Sequence, residues 1–370
     1  MIKIYNSKGN DFTEEPNPKV ATEVKAKIQC GNVEFSQIFE EDTKVVFKKP
    51  KETIENKGLF TVKTTNEWME AAKYKPIPKM LFDKLWFEKE VCILFADANV
   101  GKSILAVQIG NSISKGQPIH GFSMEAEKQK VLYFDFELSD KQFQIRYSDD
   151  NSENNYIFDD NFIRIEFNPD MELPKGKKFE DLLFQELESV VISTSAKILI
   201  IDNITYLKEG TEKANDALPL MKQLKFLKSK YDISVLALAH TPKRDLTKKI
   251  TRNDLQGSKM LMNFCDSSFA IGESHVDKNL RYIKQIKQRN CGQVYGKDNV
   301  VICELDKVVN FVQFKFMVCG KEFEHLEEKS AEKTVKKKQE AAVLKSQGVS
   351  NSEIARRLSV SEGTIRNWLK

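Results

Sequence analysis

The chain has 370 residues, of which 41% are hydrophobic and 30% charged, with a net charge of +4. That length suits one large core with appendages, and no apolar run approaches the roughly 18 residues that would span a membrane. The first residues, MIKIYNSKGNDFTEEPNPK, hold no apolar signal core, and the six cysteines are scattered with no metal-ligand spacing, so a reducing cytoplasm is expected. The charge is uneven. Residues 329–370 carry ten Lys/Arg against four Asp/Glu, a local +6 that leaves −2 on the first 328 residues. A basic tail of this kind points to nucleic acid as a partner.

In chain order, residues 1–78 read as an N-terminal extension of unassigned role, with short strands at Val33–Phe35 and Thr43–Phe47 and a helix near Asn66–Tyr74. Pro76 and Pro78 mark a boundary before a core expected over residues 79–325. There, β-runs at Val91–Phe95, Lys130–Phe136, Ala196–Asp202, Ser234–Ala239, Phe269–Ile271 and Tyr282–Gln288 alternate with helical stretches such as Glu180–Ser193 and Asp216–Lys230. Val/Ile/Leu-rich strands alternating with helices predict an α/β fold with a mostly parallel, doubly wound sheet.

The stretch VCILFADANVGKS gives the core its chemistry. A β-run breaks into a short loop, Ala96, Asp97, Ala98, Asn99, Val100, Gly101, and ends in Lys102-Ser103. This is the layout of a phosphate-binding P-loop: backbone N–H groups cradle the β-phosphate, Lys102 carries charge to the β- and γ-phosphates, and the Ser103 hydroxyl ligates Mg²⁺. The first position is Ala96 where the general pattern has Gly. Four apolar residues running into Asp202 place a carboxylate at a strand end, where it would hold Mg²⁺ opposite Ser103. Many P-loop ATPases carry the water-activating acid directly after this Asp, but here Asn203 stands in that place. Glu137, closing VLYFDFE on a strand expected beside the P-loop strand, is the alternative general base.

Taken together, ADANVGKS, VLYFDFELSDKQFQIRY, ILIIDNITYL, VLALAHTPKR, NDLQGSKMLMNFCDSSFAI and IKQIKQRNCG resemble, in order, the motifs of the RecA-like motor of hexameric replicative helicases of the DnaB and plasmid RepA type. The resemblance covers residues 85–320. It implies a RecA-like ATPase using ATP and Mg²⁺, with His240 as a γ-phosphate sensor. It further implies that Lys287 and Arg289 reach the neighbouring subunit's γ-phosphate in a homo-oligomer, by family analogy a hexamer, with Arg289 as an arginine finger.

Two regions are candidates for DNA. The basic connection after His240 offers Lys243, Arg244, Lys248, Lys249 and Arg252 to a single-strand backbone. After a basic linker at 326–338, residues 339–370 read as a helix near Gln339–Gln347, a Gly348 break, and two further helices. The first opens on a capping box from Ser350 to Glu353, and the second is capped by Ser361. This is a helix-turn-helix that would turn Thr364, Arg366, Asn367 and Lys370 toward duplex DNA. The reading is a helicase-like DNA motor of a plasmid, phage or mobile element; an ATP-switched, sequence-specific DNA-binding regulator or initiator is the alternative.

Overall fold

The computed structural model describes residues 27–30, 33–36, 60–151, 153–172, 174–176, 179–207, 214–242, 244–255, 259–327 and 330–369. The chain divides into two units, Met1–Lys75 and Pro76–Lys370. In the first, β1 (Lys27–Cys30) pairs antiparallel with β2 (Val33–Ser36), and α1 covers Thr65–Lys73 behind a Thr64–Glu67 capping box. The expected strand at 43–47 lies outside the described residues.

The second unit runs β3 (Met80–Phe82), β4 (Trp86–Phe87), β5 (Val91–Ala96), α2 (Lys102–Lys115), β6 (Val131–Asp135), α3 (Asp140–Arg146), β7 (Phe162–Ile165), α4 (Phe179–Thr194), β8 (Ile198–Asp202), α5 (Ala214–Tyr231), β9 (Ser234–His240), α6 (Lys259–Phe264), β10 (Ser267–Glu273), β11 (Leu280–Lys287), β12 (Val300–Val308) and β13 (Phe311–Gly320). Nine strands form one sheet in the order β13-β12-β11-β10-β5-β9-β8-β6-β7. From β10 to β7 all pairings are parallel, and β11, β12 and β13 add antiparallel strands at one side.

The period of two along β5 sorts its side chains onto two faces. Val91, Ile93 and Phe95 join a core with residues of α4, α5 and α6, while Cys92, Leu94 and Ala96 join the opposite one with α2. Helices on both faces explain why the parallel strands read as continuous apolar runs. Gly110 in α2 is a packing requirement: a Cβ there would lie 2.4 Å from the Phe162 ring of β7. The fold is therefore a RecA-like α/β core with a mostly parallel sheet.

The order corrects one expectation. The strand leading to Glu137, β6, is not beside the P-loop strand β5, because β9 and β8 lie between them. The sequence patterns also marked no strands after residue 288, yet β12 and β13 form a long hairpin. Its outer strand reaches back to α2, where the Gln108 side chain pairs with both the N–H and the C=O of Phe314 (2.8 and 3.0 Å).

The C-terminal helices are α7 (Ser330–Ser346), α8 (Asn351–Leu358) and α9 (Glu362–Trp368), so most of the expected linker is helix. They form a helix-turn-helix with its own small core of Ala341, Ile354, Ala355, Leu358 and Ile365. Ser350 accepts the Glu353 N–H, but the expected reciprocal half of the box does not form. The Glu353 carboxylate turns to Arg356 and Arg357 instead, at 2.8 and 2.9 Å. No helix among the described residues is long and apolar enough to cross a membrane.

Candidate active site

The buried strand β5 ends at Ala96, and the chain loops over residues 97–101 into α2 at Lys102. Gly101 has φ +107°, and a Cβ there would meet the Phe314 ring at 2.9 Å, so backbone and neighbour both demand glycine. The loop's N–H groups and the start of α2 make a ready anion cradle. Below it lies Lys102, 6% exposed, whose Nζ donates to the carbonyls of Ala96 and Asp97 at 3.0 and 2.9 Å. Burial lowers its pKa, opposed by the charges of Asp202, Glu137 and Asp97. Ala98 and Asn99 are exposed, whereas Val100 is buried and its carbonyl accepts a 3.1 Å hydrogen bond from Arg281 Nε.

Asp202 ends β8, level with Asp135 of β6. It is 1% exposed, accepts the Tyr133 hydroxyl at 2.8 Å and is bonded to the Ser103 side chain. Burial pushes its carboxyl up to about 6, against the lowering effect of Ser103. A hydroxyl and a carboxylate held together beside a P-loop are the oxygen donors that suit Mg²⁺, so the residues fit the expected nucleotide and cation.

Glu137 follows β6 and closes the site. Asn203 Nδ2 donates to Glu137 Oε1 and lies 3.1 Å from His240 Nε2, which is itself 3.4 Å from the same carboxylate oxygen. The hydrogen bond to His240 lowers the Glu137 pKa, against the effect of burial. His240 is level with Ala96, because β9 runs parallel to β5 in direct register. Lys102, Ser103, Asp202, Glu137 and His240 thus converge at the C-terminal ends of the parallel strands, where open α/β sheets bind ligands. Asn203 thus holds the Glu137 carboxylate, two residues past the end of β6. Sequence reasoning noted Asn203 only as a departure, and it missed Tyr133 and Thr241. The Thr241 hydroxyl donates to Asp97 Oδ1, tying the P-loop to the end of β9.

Lys287 and Arg289 lie elsewhere. Because β11 runs antiparallel to β10, its last residue Lys287 is level with Ser268 near the start of β10, and Asp266, just before that strand, donates its N–H to the Val91 carbonyl at the start of β5 (2.8 Å). That is the edge opposite the chain's own P-loop. Lys287 Nζ donates to the carbonyls of Met262, Asn263 and Cys265 (2.6, 3.1 and 2.7 Å), capping the C-terminus of α6. Arg289, half exposed, pairs with Asp266 at 3.0 Å. Both side chains are held on that edge by these partners.

The segment after His240 is more tied down than its composition suggests. Arg244, expected to face DNA, is turned inward: its side chain is 5% exposed, with Nε 3.5 Å from Asp97 Oδ2. The P-loop carboxylate draws the guanidinium in. Ile250 is buried, its N–H donating to Glu322 and its carbonyl accepting from Lys284, which form an ion pair of 2.6 Å. Lys248 is exposed but paired with Asp245 at 3.1 Å, Lys249 is half-buried, and Arg252 is exposed. In α9, Arg366 and Asn367 are exposed, with Arg366 paired to Glu362, while the half-buried Thr364 bonds its hydroxyl to the capping Ser361 at 2.8 Å. Lys243 and Lys370 lie outside the described residues.

Comparison with known proteins gives two family matches: residues 61–245 match the AAA domain, and residues 332–370 match the homeodomain-like domain. Among solved structures, the chain is similar to the KaiC-like protein PH0186 from the hyperthermophilic archaeon Pyrococcus horikoshii OT3, with 12% identity and a TM-score of 0.40. That alignment covers 62% of this chain and 90% of the other. None of the curated proteins compared matches it.

Proposed function

The chain belongs to the AAA domain family, whose model spans half of it, and it carries a helix-turn-helix; from this premise we propose that it is an ATP-hydrolysing DNA motor of the helicase type, active only as an oligomer. Lys102 exchanges its two carbonyl partners for the β- and γ-phosphates of ATP. Bound Mg²⁺, held by Ser103 and Asp202, supplies charge neutralisation at those phosphates. Glu137 takes the proton of the attacking water, with Asn203 and His240 fixing its carboxylate and His240 placed to sense the γ-phosphate. Lys287 and Arg289, from the far edge of a neighbouring copy, stabilise charge developing on the γ-phosphoryl oxygens.

The observation that supports this reading is the position of that pair on the edge opposite its own P-loop, from which it would act on a neighbour's site rather than its own. The oligomer is taken to be a homohexamer that passes a single strand along Lys248, Lys249 and Arg252, while α9 engages duplex DNA. Replication or mobilisation of a plasmid, phage or mobile element is the proposed setting. A second reading, an ATP-switched DNA-binding regulator or initiator, is favoured by the inward turn of Arg244, which removes one cation from the single-strand path.

The test is ATP-dependent strand displacement on a forked duplex, with Lys102→Ala as the control. Displacement that requires Lys102 supports the motor. Hydrolysis without displacement refutes it in favour of the regulator, and undiminished hydrolysis by Lys102→Ala removes the P-loop assignment itself.

A further inference from the structure

Glu137 sits on a turn with no regular structure of its own. The strand β6 stops at Asp135, α3 starts at Asp140, and the four residues between carry the carboxylate that must meet water at the γ-phosphate. A neighbouring strand supplies what holds this turn. Arg164 of β7 places Nε 2.9 Å from Asp135 Oδ2, Nη2 2.6 Å from the Leu138 carbonyl, and Nη1 2.7 Å from Asp140 Oδ1. One planar guanidinium therefore grips the turn before, within and after the stretch that bears Glu137. Its Nη2 also lies 3.2 Å from Glu166, and the Phe143 ring lies 4.9 Å from its Cζ.

The grip continues through Asp135, which is 1% exposed. Its Oδ2 faces Arg164, and its Oδ1 accepts the N–H groups of Glu137 and Leu138 at 3.2 and 3.0 Å. A buried carboxylate needs a cation or a full set of donors to be tolerated, and Arg164 is the cation paired with this one. Three separate guanidinium nitrogens each hold a different acceptor, a planar arrangement that the single nitrogen of an ammonium does not reproduce.

We infer that Arg164 is a positioning residue for hydrolysis, acting through Asp135 and the 136–139 turn to hold Glu137 against Asn203 and His240. This rests on the reading of Glu137 as the group that activates water. Arg164 is far less exposed than a solvated arginine, with a side chain 18% exposed, and its guanidinium points into the turn. Misplacing a catalytic group by about 1 Å costs about 10²-fold in rate, which sets the effect expected when the grip is lost.

The experiment is a double-mutant cycle on the full chain, by single-turnover ATP hydrolysis with binding of a fluorescent ATP analogue measured alongside. Arg164→Ala is expected to lower the rate about 10²-fold while leaving nucleotide affinity within about threefold, and Arg164→Lys to recover little of it. Added guanidinium ion is expected to restore part of the Arg164→Ala rate. In a Glu137→Gln background, Arg164→Ala should change the residual rate by less than about twofold, since the two residues act as one unit. An equal loss in both backgrounds overturns the inference, as does an unchanged rate in Arg164→Ala alone. If Glu137→Gln hydrolyses ATP at the normal rate, the Glu137 reading fails first, and the inference with it. Should Arg164→Ala not fold, the cycle is run with Arg164→Lys and the same outcomes decide.

Discussion

Replacing Asp202 by Asn is expected to stabilise the nucleotide-free protein while abolishing turnover. Asp202 is 1% exposed, and burial raises its carboxyl from 3.8 to about 6 despite the hydrogen bonds from Ser103 and Tyr133. Each pKa unit is worth about 1.4 kcal/mol, so keeping this group charged above pH 6 costs about 3 kcal/mol. An amide of the same shape accepts from Tyr133 through its oxygen and donates to Ser103, removing the charge without opening a cavity. The sign follows from the raised folded value. The folded state binds the proton more tightly, so the contribution of Asp202 is fully present below about pH 4 and is lost as pH rises through about 6. The assay is thermal unfolding with chelator and without nucleotide, from pH 4 to 8. At roughly 2 °C per kcal/mol for a unit of this size, Asp202→Asn should melt about 6 °C higher at pH 8 and level with the parent near pH 4. A gap independent of pH, or a less stable variant at pH 8, refutes the reasoning.

Arg289→Ala should spare nucleotide binding but cut ATP hydrolysis about 10³-fold, and mixing it with a Lys102→Ala variant should restore activity only if the residue acts across subunits. Gly101→Ala should lose nucleotide affinity and about 2 kcal/mol of stability, because the new methyl meets the Phe314 ring at 2.9 Å with φ at +107°; binding of a fluorescent ATP analogue and thermal unfolding check both. Lys284→Met should destabilise the core by about 3–5 kcal/mol, leaving the fully buried Glu322 without its cation, and chemical denaturation measures it. Ile354→Ala should unfold the small C-terminal core and abolish duplex binding by gel shift, while ATP hydrolysis persists without DNA.

Sequence patterns made the P-loop, the Asp202 strand and the helix-turn-helix legible, because each is written in adjacent residues. Gly101-Lys102-Ser103 follows a β-run, five residues of β8 are wholly buried and end in the acid, and Ser350 and Ser361 cap their own helices. The hairpin of β12 and β13 was missed although its two β-rich runs flank a short Val309-Asn310 turn. Its half-exposed strands mix Lys, Glu and Asp with apolar residues, and that pattern gives no clean period.

The sequence by itself therefore determined the nucleotide chemistry and the order of the functional segments, since backbone conformation and helix capping depend on residues a few positions apart. Only the tertiary structure decided which strands are neighbours. It separated β6 from β5 by two strands, brought Asn203 and His240 onto Glu137, turned Arg244 into Asp97 and parked Arg289 on Asp266. Those contacts join residues 23 to 147 positions apart, and what selects them is the burial of two apolar faces at once, which no local pattern records.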